Sequence, residues 1–216
     1  MSSKPGAGQT IKIDDIVKVD RATEFDNKTY TSGGIRLSYK SHVPAMKGLK
    51  DGVLLEAGFD DVSPNEAKDI SSWLYDYAVS KKVPIIDNRT KGVACYDPGY
   101  TFVEKLQTIS TKFRQQQASG EFPINFMRHY YDVYSLLQRP KVQAFIGTAV
   151  YTAHKEKRFR GGDNRDIKTN QAFILSDPAT RALYAKAFAE STALYYGEKP
   201  TFAQILAEIG KWVDRL

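Results

Sequence analysis

The 216-residue chain has a single cysteine, Cys95, and three histidines, His42, His129 and His154. One thiol excludes an internal disulfide framework and fits a reducing compartment. The histidines show no metal-ligand spacing with Cys95, which argues against a zinc site. No apolar run reaches about eighteen residues and no charged-then-apolar leader opens the chain, so neither a membrane span nor a signal sequence is expected. There is no internal repeat, and no low-complexity tract beyond the first nine residues. These absences leave a cytoplasmic, membrane-free protein as the expectation.

What is present is ordinary for a globular chain: 42% hydrophobic and 26% charged residues, on a length that can bury a sizeable core. The net charge of +6 is mildly basic, compatible with phosphate-rich partners without requiring one. Residues 1–9 read as a flexible tail. Ile11, Ile13, Ile16, Val17 and Val19 give β-type patches, and Asp26-Asn27-Lys28 suits a turn. Ile35 to Tyr39, entered through Gly33-Gly34, and Val53 to Phe59, introduced by Lys50-Asp51-Gly52, read as adjacent antiparallel strands.

After Pro64 the period changes. Ile70, Trp73, Leu74, Tyr77 and Ala78 predict a helix over about 66–80. Val83 to Ile86 and Val93 to Cys95 read as brief strands around Asn88-Arg89. Five helical segments follow, the third opening at Pro140 and running through Ala153, the fourth running from Asp177-Pro178 to Gly197, and the last capped by Thr201. Arg160 to Arg165 reads as a loop between the third and fourth, too short for a phosphate loop. The predicted architecture is α+β: a small, mainly antiparallel sheet over residues 10–95, then a helical region over 96–216.

Two motifs on consecutive helices stand out. Asp97-Pro98 leads into a helix bearing Glu104-Lys105-Leu106, and Arg128-His129-Tyr130-Tyr131-Asp132-Val133-Tyr134 forms the next. Arg128 and Asp132, four apart, share one face. With Leu55-Glu56-Ala57-Gly58-Phe59-Asp60-Asp61-Val62-Ser63-Pro64 and the closing Tyr196-Gly197-Glu198-Lys199-Pro200-Thr201-Phe202, they make the sequence resemble the AbiEii/AbiGii nucleotidyltransferase toxins of type IV toxin–antitoxin and abortive-infection systems. The resemblance spans roughly residues 50 to 216.

It implies a nucleotidyltransferase-like fold, magnesium, an NTP donor, an RNA acceptor such as tRNA, and an antitoxin. One element is missing: the family's Gly-Ser turn followed by Asp-x-Asp. Neither a Gly-Ser pair nor an Asp-x-Asp triplet occurs in the sequence, and Glu24-Phe25-Asp26 lacks the glycine-serine turn. The chain then reads as the C-terminal two-thirds of such an enzyme: a truncated product, one half of a split enzyme completed by a complementary N-terminal chain, or a decayed relative. The alternative is a non-catalytic remnant that binds a nucleotide or a partner; a third reading is a basic RNA-binding module.

By the resemblance, Lys105 contacts the nucleotide phosphates, with Arg128 and Glu104 beside it, and Asp132 positions the lysine or the acceptor. Glu56 would be a metal-side carboxylate, with Asp60 and Asp61 as rivals. Each has an ordinary alternative. Lys105 would otherwise be a surface cation, and Asp132 one half of an exposed i,i+4 pair with Arg128 worth roughly 0.3–0.5 kcal/mol. Glu56 draws notice because its strand is otherwise apolar, though alternation permits it to face outward. Lys155, Lys157, Arg158 and Arg160 read as a solvated helix end or as a contact to an RNA backbone. His129, within the second motif, is expected to be structural or to support the site residues from behind.

Overall fold

The computed structural model describes residues 16–23, 26, 31–40, 52–87, 89–123, 125–191 and 199–216. The residues 1–9 tail, Ile11, Ile13, Glu24, Phe25, the Asn27-Lys28 turn, His42, Lys50-Asp51, Asn88 and the Tyr196-Gly197-Glu198 segment lie outside these. The architecture is α+β, with small antiparallel sheets followed by helices. Two compact units form, one from the residues up to Ser63 with Ala67–Cys95, the other from Pro64–Glu66 with Tyr96–Leu216.

In the first unit, β1 (Ile16–Arg21), β2 (Ser32–Tyr39) and β3 (Val53–Gly58) make an antiparallel sheet in that order. Ile35 pairs with Leu55 and Gly34 with Glu56. Gly52 enters β3 at φ 93°, where a Cβ would lie 2.5 Å from the Leu37 carbonyl oxygen, so only glycine fits. β3 is an edge strand, and Val53 and Leu55 are exposed.

The helix expected over 66–80 divides. Asn65–Ile70 is a strand, β4, paired with β5 (Thr90–Tyr96), and only Trp73–Ser80 is helical, α1. Ser72 sets that start: its hydroxyl accepts from the Tyr75 N–H at 3.1 Å, an N-cap that stops the helix from extending upstream. The expected strand at Val83 to Ile86 has no regular structure.

The second unit is built around α2 (Pro98–Ser119). Asp97 caps it by accepting from the Gly99 N–H at 2.7 Å, Pro98 fills its first turn, and Gly120 at φ 76° ends it. Phe102, Val103, Leu106 and Ile109 are wholly buried on one stripe. Against α2 pack α3 (Arg128–Leu137), α4 (Pro140–Phe145), α5 (Ala149–Arg158) and α6 (Gln171–Ile174); α7 (Pro178–Ser191) and α8 (Phe202–Gly210) pack on each other. The third expected helix is thus two, broken where Gly147 adopts φ 81° and Thr148 caps α5. The four-residue α6 is too short to show a period in the sequence. Thr201 caps α8 with a full capping box to Gln204.

Gly99 allows α4 to approach α2 closely, since a Cβ there would lie 2.6 Å from the Phe145 ring. That ring is itself stacked on Tyr100 at 5.2 Å and meets Tyr151 edge-on. Gly99→Val is therefore expected to destabilise the chain by ~1–3 kcal/mol through overpacking. A urea midpoint that moves down at constant slope checks it; an unchanged midpoint contradicts it.

Candidate functional site

The packing of α3 against α2 brings Lys105 and Asp132 together. Lys105 Nζ lies 2.8 Å from Asp132 Oδ2, both side chains about one-third exposed. Neither sits in a dry core nor is fully solvated, so solvent reaches the pair. His129, one turn before Asp132 on the same helix, adds a third group. Its Nδ1 stands 3.6 Å from the same Oδ2.

Burial by itself would raise the Asp132 pKa, but the approach of His129 and the bond from Lys105 outweigh it and hold the carboxyl below its usual range. Burial pushes His129 down, and the Lys105 charge adds to that, so the imidazole is neutral at neutral pH. Arg128 does not close the i,i+4 pair suggested by its spacing. Asp132 is paired to Lys105 and faced by His129 instead, because α2 delivers an ammonium directly onto its carboxylate. Arg128 faces Lys112, which burial and then that neighbouring cation push below the ordinary lysine range. Lys105, Lys112 and Arg128 thus give the α2–α3 seam a positive cast.

Glu104 turns elsewhere. Tyr96 donates its hydroxyl to Glu104 Oε1 at 3.0 Å, and His154 Nε2 and Arg158 Nε lie 3.7 and 3.8 Å from that oxygen. Glu104 clasps the end of β5 and α5 to α2, next to Lys105 in sequence but engaged with another set of partners. Of the basic run, Arg158 faces Glu104 and Lys155 bonds the Leu216 carbonyl. The loop between α5 and α6 is docked by Asp163, whose buried carboxylate accepts from Thr111, from Gln107 at 3.3 Å and from Arg114 at 3.1 Å.

Glu56 belongs to the first unit, and it is not the acid in a buried strand that its apolar neighbours suggest. β3 is the sheet edge and Glu56 is exposed, lining a groove of about 760 Å³ with Arg21 and Phe59. Among the described residues no three His, Cys, Asp or Glu side chains come together to hold a metal ion. The described residues thus offer no dedicated cage for magnesium, an ion that one or two carboxylates and the nucleotide phosphates would hold together, and no step of the reaction is routed through it.

The sequence signalled His129 only by its i,i+3 spacing to Asp132, which places both on one face. Asp163 had no signal, because its partners lie more than forty residues away.

Both buried histidines lose charge on folding: burial first of all lowers His154 as well as His129. A depressed histidine stabilises the fold above its unfolded value, about 6.5, and that contribution is lost as pH falls through the folded values. The unfolding free energy is expected to decline as pH drops below about 6.5. Denaturation curves across pH 4 to 8 check this. His154→Gln should flatten the decline; an equally steep profile would contradict the assignment.

A small-sheet-plus-helical-unit fold with a lysine–carboxylate pair on two successive helices is the frame that the motifs marked out. The chain belongs to the AbiEii family, the nucleotidyl transferase AbiEii toxins of type IV TA systems, whose family model matches residues 6–208. That match starts well ahead of residue 50, where the motifs carrying the resemblance begin. Comparison with the curated proteins and with the solved structures returned no match. Membership in a toxin–antitoxin family implies an antitoxin partner. Among the described residues no helix is long and apolar enough to cross a membrane.

Proposed function

We propose that the chain is a nucleotidyltransferase toxin that moves a nucleoside monophosphate from an NTP to an RNA acceptor, with tRNA the first to test. The observation that carries this reading is the 2.8 Å Lys105–Asp132 pair, half-open to solvent between α2 and α3. Lys105 binds the triphosphate and offsets the charge that grows on the departing pyrophosphate. The acceptor hydroxyl oxygen bonds to the α-phosphorus as the bond to pyrophosphate breaks. Asp132 takes the hydroxyl proton, then returns it to solvent. Arg128 and Lys112 lie along the same seam, where phosphate oxygens would be favoured. The reaction takes place in the cytoplasm.

Incubation of the purified chain with each labelled NTP, total RNA and a divalent metal tests it. Label in an RNA band is the expected result, and no transfer with any NTP or metal removes the chain, by itself, from the enzyme class. A second reading has its own support. The sequence lacks Gly-Ser and Asp-x-Asp, and the described residues bring no carboxylate cluster together. On that reading the seam binds a nucleotide or a partner without chemistry, and calorimetry with NTPs would show binding where the transfer assay shows none.

A further inference from the structure

Asp132 serves two neighbours with one oxygen. Oδ2 is bonded to Lys105 Nζ at 2.8 Å, while His129 Nδ1 waits 3.6 Å from the same atom. That distance is too long for a hydrogen bond. Nδ1 is buried and has no hydrogen-bond partner among the described residues, on a side chain only 10% exposed. Buried ring nitrogens are normally satisfied, so one left open beside a carboxylate calls for an explanation.

The groups facing His129 are Lys105 from α2, and Asp132 and Arg128 from α3 itself. With its proton on Nδ1, a neutral imidazole needs to close roughly 0.7 Å to bond Oδ2. The Lys105 ammonium is the donor that this oxygen already holds, at 2.8 Å.

We infer that His129 is a positioning residue, which takes over Asp132 Oδ2 when Lys105 is drawn away to a nucleotide phosphate. The identity of that trigger rests on the nucleotidyltransferase reading; the exchange of partners does not. Without it, a partly buried carboxylate loses its cation at the moment the triphosphate charge arrives. With it, Asp132 keeps a donor on Oδ2, stays ionised and stays aimed, leaving Oδ1 to face the acceptor.

The test is nitrogen-15 NMR of labelled histidine in the full chain, which reads the His129 tautomer and titration. Lys105→Met and Lys105→Gln each remove the ammonium from a partly exposed position, so two independent variants guard against misfolding. In both, the Nδ1 resonance is expected to become that of a hydrogen-bonded N–H, and the His129 pKa to rise by about one unit. Adding Asp132→Ala to Lys105→Met should abolish the hydrogen-bonded Nδ1 signature, which loss of the Lys105 charge alone would not produce.

An Nδ1 resonance unchanged in either folded Lys105 variant, or a hydrogen-bonded one that survives Asp132→Ala, overturns the exchange. ATP with magnesium added to the unmodified chain should move Nδ1 in the same direction. A response to removal of Lys105, with none to any of the four nucleoside triphosphates, overturns the nucleotide as trigger while the His129–Asp132 exchange stands.

Discussion

Alanine at Lys105, or at Asp132, is expected to reduce label transfer to RNA by ~10²-fold or more, the scale on which one preorganised electrostatic group acts in a transition state. The same substitutions should change the unfolding free energy by no more than about 1 kcal/mol, since a partly exposed ion pair contributes little to stability. The two magnitudes separate the competing views of this pair. If Lys105 and Asp132 only joined α2 to α3, neither activity nor stability would move far. Lys105→Arg is informative beside them. It keeps the charge but replaces a compact ammonium with a planar fork, so binding should survive better than turnover. Transfer undiminished in both alanine variants would end the proposal that this seam is the active site. Transfer lost together with the cooperative unfolding transition would point to a folding defect instead, and equilibrium denaturation of the same preparations tells the two apart.

Tyr130→Ala should be the most damaging substitution in the helical unit, at ~3–5 kcal/mol for truncating a buried aromatic. The Tyr130 ring is wholly buried and meets Phe126, Tyr184 and Phe202 at 5.7, 6.4 and 5.1 Å, the last two edge-on. Its hydroxyl donates to the Ala172 carbonyl at 2.6 Å, tying α3 to α6. Alanine removes the packing and leaves that carbonyl without its donor, which adds ~1–3 kcal/mol. Against a total stability of roughly 5–15 kcal/mol, the sum is enough to unfold a marginal chain. Tyr130→Phe isolates the hydrogen bond and should cost only ~1–2 kcal/mol. Chemical denaturation of the three proteins gives the comparison, and equal losses for Ala and Phe would show that the hydroxyl, not the ring, holds this part of the core together. Because His129 and Asp132 flank Tyr130 on α3, Tyr130→Ala should also abolish transfer, through loss of the helix that carries them.

Local chemistry made much of the fold legible. The stripe Phe102, Leu106, Ile109, Phe113 marks α2, Asp97-Pro98 opens it and Thr201 opens α8, because caps and periodicity act over four residues or fewer. The misread stretch at 66–80 shows the limit of this. Ile70, Trp73, Leu74 and Tyr77 have helical spacing, yet β4 forms because β5 is there to pair with it, a partner some twenty residues away. The same limit applied to Glu56: an edge strand and a buried strand can share one composition, and only the sheet order distinguishes them.

The sequence by itself determined the α+β class, the starts of α2, α4, α7 and α8, and the two motifs that the α2–α3 seam carries. It could not determine which carboxylate oxygen each cation reaches. Arg128 and Asp132 are neighbours along one helix, and local spacing favours their pairing. Tertiary packing chose Lys105 instead, because it sets α2 against α3 and places the ammonium on Asp132 Oδ2, with His129 held back at 3.6 Å. That choice depends on distances between chain segments more than twenty residues apart, which no local pattern encodes.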